Sequence, residues 1–192
     1  NQKPLILTSE IKKSSDSSPL MHIKFSSKNQ ILKAVKSKKI QSVYIYHKNI
    51  KKLWEIFTKK FPIKDAAGGL VQRNDDKLLF IYRKNRWDLP KGGVEKNELI
   101  IEAAQREVKE ETGLADLIVI NKIGETYHIF SNGKNYRLKR TYWFKMKSDY
   151  KGDLSPQKEE GIISAEWISK KRIPEILENA YENIKEIVAE VI

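Results

Sequence analysis

The sequence predicts an α/β fold, a mixed sheet with helices on either side, preceded by a small α/β appendage. Three observations carry this. Runs rich in β-formers alternate with runs of helical spacing along the chain, which points to layered α/β architecture. With 192 residues, 40% of them hydrophobic, the chain can bury a substantial core. The charge is unevenly divided: residues 1–62 hold 14 lysines and no arginine against Glu10, Asp16 and Glu55, a net +11, nearly all of the chain's +12. Residues 1–62 are therefore read as a basic appendage closing at Pro62, and 63–192 as the main domain.

In the appendage, "PLILT" and "LMHIKF" read as short strands joined by the polar loop "KKSSDSSP". "KNQILKAVKSKK" has helical spacing and "QSVYIYH" is β-rich. "NIKKLWEIFTKKF" sets Leu53, Ile56 and Phe57 on one helical face. The main domain starts with "AAGGLVQRNDDKLLFIYR", two strands around an Asn74-Asp75-Asp76 turn. There follow a loop "KNRWDLPKGG", a helix over about Glu98 to Thr112, and strands near "LADLIVINKIG", "ETYHIF" and "NYRLKRTYWFKMK". The last two are joined by a turn at Asn132-Gly133. "EWIS" leads into one or two terminal helices, with Pro174 near the start of the last helical region.

The helix is the chemically informative element. Asn97 is its expected N-cap, Glu98 and Glu102 suit the positive end of the dipole, and Gly113 sits where a helix terminates. At 100° per residue, Glu107, Glu110 and Glu111 share one face, which continues the apolar stripe of Ile100, Ala103 and Ala104. A solvated face with Arg106 paired to Glu110 is the ordinary reading of such a cluster, worth only about 0.2–0.5 kcal/mol per pair. An inward face with three like charges instead asks for something positive, and a hard divalent cation is the economical choice. Magnesium takes oxygen donors and bridges carboxylates to phosphate oxygens. Gly92 and Gly93 in "LPKGGVE" would let the backbone approach the ion, with Lys91 beside a phosphate.

Other chemistries are excluded or weak. Without cysteine there are no disulfides, thiolate sites or cysteine nucleophiles, and His22, His47 and His128 are scattered. No apolar run approaches the roughly 18 residues of a membrane span, and "NQKPLILTSE" lacks a signal-peptide plan. The expected location is cytoplasmic, with no membrane partner.

The segment "GGVEKNELIIEAAQREVKEETGL" resembles the box of the Nudix (MutT-like) family over the 23 residues from Gly92 to Leu114. Gly92, Glu98, Arg106-Glu107-Val108, Glu110-Glu111 and Gly113-Leu114 meet every fixed position, and residues 63–192 are similar to the family in element order. The resemblance implies an α/β/α sandwich that hydrolyses a nucleoside diphosphate linked to another moiety, with magnesium, or manganese in its place. It implies Glu107 as pivotal ligand and water activator, Glu110 and Glu111 as further ligands, Gly92 as a carbonyl ligand, Arg106 as the residue orienting Glu107, and Glu98 in support. The general base is left open between Glu107 and a carboxylate of "SPQKEEGI", Glu159 or Glu160; ordinary solvation is the alternative for these two.

Around the box, Arg83, Lys84 and Arg86 beside Trp87 suggest a nucleotide pocket, in which arginine grips phosphate and tryptophan stacks on a base. Trp87 as a core anchor is the competing reading. Tyr127, His128, Phe130, Arg137, Lys139 and Arg140 alternate along strands, so only about half can face a pocket; Lys139 is taken as a substrate contact and His128 as a packing residue.

The approach "WDLPKGG" has a loose likeness to enzymes acting on dinucleoside polyphosphates. A second reading is an RNA 5′-end pyrophosphohydrolase or an RNA-associated protein using the basic appendage, although no stacked-aromatic strand motif is visible. A third is a nucleotide sensor without turnover. The appendage itself could cover the pocket, bind a partner or form a homodimer interface.

Overall fold

The computed structural model describes residues 3–133 and 135–191; residues 1, 2, 134 and 192 lie outside the described residues. Two compact units emerge, Asn1–Ile63 with Ile129–Leu138, and Lys64–His128 with Lys139–Ile192.

The first unit contains β1 (Leu5–Thr8), β2 (Leu20–His22), α1 (Lys28–Lys36), β3 (Val43–Tyr46) and α2 (Ile50–Lys60). The strands form a parallel sheet in the order β1-β3-β2, with Ile6 opposite Tyr44 and Met21 opposite Ile45. Ser27 caps α1 in a reciprocal box with Gln30, and the Asn49 side chain caps α2 by accepting the Lys52 N–H at 3.0 Å. As the spacing predicts, Leu53 and Phe57 of α2 are buried, against Ile23, Ile31, Val43 and Ile45. Leu138 completes this core, and Tyr136 packs on it. The segment 129–138 therefore belongs to the first unit, a long-range association that local sequence does not signal.

The second unit holds β4 (Ile63–Arg73), β5 (Leu78–Arg83), β6 (Arg86–Asp88), β7 (Lys91–Gly93), α3 (Ile100–Thr112), β8 (Ile118–Asn132), β9 (Asn135–Ser148), β10 (Ile162–Ile168), α4 (Ile173–Glu178) and α5 (Glu182–Ala189). The sheet runs β10-β5-β4-β9-β8, with β6 on β5 and β7 on β4. Successive strand residues bury opposite faces. Leu70, Phe80 and Trp143 pack with Ile173, Ile176, Ile184 and Val188 of the terminal helices, whereas Val71, Leu79 and Phe144 pack with Ala103, Ala104 and Val108 of α3. Helices thus cover both faces, and the expected α/β/α sandwich is present.

The turn after β4 lies where Asn74-Asp75-Asp76 places it, with Asp76 at φ 63°. The expected loop "KNRWDLPKGG" instead contains β6 and β7. Lys84 and Asn85, at φ 49° and 58°, form the two-residue turn that joins β5 to β6; without a glycine there, the sequence gives little sign of it. "LADLIVINKIG" and "ETYHIF" merge into the single strand β8. β8 ends at Asn132, and Gly133 follows at φ 63°. Pro174 occupies the first turn of α4. Among the described residues no helix is long and apolar enough to cross a membrane.

Candidate active site

Helix α3 sets the site. It starts at Ile100 after Leu99, not at Asn97, whose φ of 65° is left-handed and ends the preceding turn. Glu102 accepts the Leu99 N–H at 3.3 Å, and Gly113, at φ 72°, terminates the helix as its sequence position predicts. Ala103, Ala104 and Val108 are fully buried. Burial of a valine or leucine side chain contributes about 1.5–3 kcal/mol, so this face holds the helix in register on the sheet. The register turns Glu107 and Glu111 inward, leaving them 6% and 0% exposed, while Glu110 stays exposed.

Arg106 organises the outer half of the cluster. Its guanidinium donates to Glu98 at 2.7 and 2.9 Å, to Glu107 Oε1 at 2.8 Å, to Glu110 Oε2 at 3.0 Å and to the Gly93 carbonyl at 2.9 Å. The Arg106 hydrogen bonds, with the Glu95 N–H, hold Glu98 down to about 2. Burial pushes Glu107 up, and Arg106 opposes it. Gly92 on β7 lies directly against Glu107: a Cβ there would stand 1.9 Å from Glu107 Oε2, so only glycine admits the carboxylate in this place.

Arg83 organises the inner half. It lies 3.3 Å from Glu111 Oε1, 3.3 Å from Asp88 Oδ2 and 3.8 Å from Glu160 Oε2. Glu111 Oε2 accepts the Lys91 backbone N–H at 2.8 Å. Burial nevertheless raises Glu111 to about 7, against the pull of Lys91 and Arg83. The Lys91 side chain is 5% exposed and its Nζ lies 3.0 Å from Asp88 Oδ2, without the geometry of a hydrogen bond. Burial, together with the charges of Lys91, Arg83 and Lys64, lowers Lys139 to about 8, which puts this lysine in the same electrostatic neighbourhood.

The remaining candidates separate. Arg86 stacks over the Tyr181 ring at 5.3 Å. The Trp87 ring packs against the core and lies 5.0 Å from the Tyr82 ring, and the Trp87 backbone N–H donates to the Asn179 carbonyl at 3.0 Å; these contacts are those of an anchor. Arg140 pairs with Asp65 at 2.7 Å, Tyr127 donates to Glu125 at 2.6 Å, and Phe130 and Arg137 fall in the first unit. Glu159 and Glu160 occupy an exposed 3-10 turn, Lys158–Glu160, before β10. Sequence reasoning missed Asp88, a 2% exposed carboxylate facing both Arg83 and Lys91. The hairpin register supplied the missing signal, since it pairs Arg83 with Arg86 and Ile81 with Asp88.

The inward acid cluster is compensated in part by the protein's own cations, Arg106, Arg83 and Lys91. Glu107 Oε2 and Glu110 Oε1 accept no hydrogen bond among the described residues, and both are hard oxygen donors of the kind a divalent cation takes. Among the described residues no three acid or histidine side chains already stand grouped as a metal site.

The NUDIX domain profile matches residues 62–191. An RNA pyrophosphohydrolase of Pelagibacter ubique is 28% identical over 151 residues, 68% of this chain and 94% of that protein. Another from Sphingopyxis alaskensis is 30% identical over 102 residues, 46% of this chain and 65% of its own. The crystal structure of a MutT protein from Methanosarcina mazei superimposes with a TM-score of 0.55 at 20% identity, over 68% of this chain and 96% of that one, a likeness of fold. With two thirds of its length matched by the profile, the chain belongs to the NUDIX domain family and is a pyrophosphohydrolase enzyme of it.

Proposed function

We propose that the enzyme hydrolyses a pyrophosphate bond at the 5′-triphosphate end of RNA, with a divalent cation, magnesium or manganese, held by Glu107 and Glu110. The observation that carries the cation is the pair of open oxygens, Glu107 Oε2 and Glu110 Oε1, beside Gly92, whose carbonyl is a further donor. Likeness to an RNA pyrophosphohydrolase over 68% of this chain and 94% of that protein supports the RNA end. A bound divalent cation would neutralise charge developing on phosphate oxygens and lower the pKa of a bound water.

The chain's residues supply the rest. Arg106 fixes the Glu107 carboxylate through Oε1 and leaves Oε2 for the cation. Arg83 is held by longer contacts, so it exchanges Glu111 for a phosphate oxygen, which frees Glu111 as a further ligand. Lys139, half-buried in the same positive neighbourhood, and Lys91 add positive potential for phosphate. Glu160 is the general base: its carboxylate is exposed to water, its charge acts on Glu107, and it has only a 3.8 Å contact to Arg83. Glu107 is already engaged by Arg106 through Oε1, with Oε2 reserved for the cation.

Incubating the full chain and Mg²⁺ with 5′-triphosphorylated RNA and, separately, with dinucleoside polyphosphates tests this. Phosphate or pyrophosphate release at least about tenfold faster from RNA is expected; preference for the small nucleotide would return the substrate to a nucleoside diphosphate linked to another moiety.

A further inference from the structure

The connection between β6 and β7 sets an acid and a lysine three residues apart, Asp88 and Lys91, with only Leu89 and Pro90 between them. Gly68 of β4 is what lets this connection dock on the sheet. A Cβ there would stand 2.3 Å from Lys91 Cβ and 2.4 Å from the Pro90 carbonyl oxygen, which accepts the Gly69 N–H at 3.1 Å. Docking buries both charged side chains: Asp88 is 2% exposed and Lys91 6%.

The two carboxylate oxygens of Asp88 have different partners. Oδ1 accepts the Leu89 N–H at 2.9 Å, which orients the carboxylate. Oδ2 then faces two cations, Lys91 Nζ at 3.0 Å and Arg83 Nε at 3.3 Å. The Lys91 contact lacks the geometry of a hydrogen bond, so the attraction is one of charge, which burial strengthens. Lys91 Nζ accordingly carries three N–H donors and has no acceptor among the described residues.

Unfilled donors on a buried ammonium are costly, and phosphate oxygens are strong acceptors for them. The arrangement separates two tasks: Asp88 compensates the charge of Lys91, and the hydrogen bonds are left to an incoming anion. Without Asp88, a lysine this deeply buried would lose its proton or turn to another acid. Glu111 is the acid at hand, because its Oε2 already accepts the Lys91 backbone N–H at 2.8 Å and its carboxylate feels the Lys91 charge. Lys91 would then join Arg83 on Glu111, and its donors would be spent there.

We propose that Asp88 is a positioning residue, which holds the Lys91 ammonium by charge alone beside Arg83 and so keeps its N–H donors for a phosphate of the substrate. This rests on the phosphate contacts of Lys91 and Arg83 proposed above, and not on the RNA end.

The test is a double-mutant cycle on the full chain with Mg²⁺, Asp88→Asn and Lys91→Met singly and together. The substrate is whichever of the triphosphorylated RNA and the dinucleoside polyphosphate the wild type cleaves faster, so loss of the RNA-end reading leaves the test standing. Each single variant should raise KM about tenfold with a smaller change in kcat, the pattern of lost substrate binding. Together they should cost no more than about threefold beyond Lys91→Met alone, because the ammonium through which Asp88 acts is already gone. The double variant should also melt at a higher temperature than Asp88→Asn, which leaves a buried cation uncompensated. Losses in kcat/KM that multiply to about a hundredfold, or a wild-type KM in Asp88→Asn, overturn the proposal. Should Asp88→Asn fail to fold, the double variant is compared with Lys91→Met: a KM within about threefold supports the proposal, and a further tenfold loss or an unfolded double variant overturns it.

Discussion

Two arginines flank the acid helix, and they hold their carboxylates differently. Arg106 makes contacts of 2.7–3.0 Å to Glu98, Glu107 and Glu110 and a further one to the Gly93 carbonyl, whereas Arg83 stands 3.3–3.8 Å from Glu111, Asp88 and Glu160. Charge-assisted hydrogen bonds at the shorter distances are the strong ones. Arg106 is therefore a fixed strut that aims two carboxylates and leaves one oxygen of each open. Arg83 is a counter-ion in a more buried place, loosely enough bound to be exchanged. In the proposed mechanism the outer half receives the cation, and the inner half is rearranged by substrate.

The largest expected effect lies in the outer half. Glu107→Gln keeps the volume and the fold and should lower kcat by about a hundredfold or more, the scale seen on removing a key electrostatic group; steady-state kinetics with unchanged circular dichroism checks it. Next is Glu160→Gln, which should lower kcat by a comparable or somewhat smaller factor, about a hundredfold, with metal affinity intact. Wild-type turnover in this variant would return the base to Glu107. Gly92→Ala should cost about tenfold in rate, because the new Cβ displaces the Glu107 carboxylate, the movable end of its side chain, while the thermal midpoint changes little.

Stability against pH sharpens the inner half. The folded pKa of Glu111 is raised from 4.5 to about 7, so the folded state binds the proton more tightly than the unfolded state. This contribution is complete below pH 4.5 and is lost as pH rises through about 7, up to about 3 kcal/mol in the metal-free chain. Thermal melts should show Glu111→Gln without that decline. Smallest is Glu159→Gln: exposed and outside the contacts of both arginines, it should stay within about twofold of wild-type rate.

Much of this comparison was legible in the sequence because helical periodicity is rigid: once α3 is granted, Glu107, Glu110 and Glu111 must share a face, and Gly113 must end it. The two-layer covering of the sheet followed from alternating hydrophobic strands. Less was legible where contacts are distant in sequence. Arg83 and Asp88 meet through a two-residue turn of unusual composition, and Leu138 joins the core of the first unit from far along the chain. The helix start failed because Asn97 is a good cap by type, yet its left-handed backbone serves the turn before the helix. Trp87 resolved toward packing since its neighbours Tyr82 and Ala180 are fixed by strand pairing and a bridge that composition does not report.

The most direct measurement is anomalous diffraction from crystals soaked in manganese. A peak bonded to Glu107 Oε2 and to Glu110, with the Arg106 contacts unchanged, is the predicted result. No peak beside those oxygens, or a manganese ion that displaces Arg106 instead of Arg83, would contradict the division of the site into a fixed and an exchangeable half.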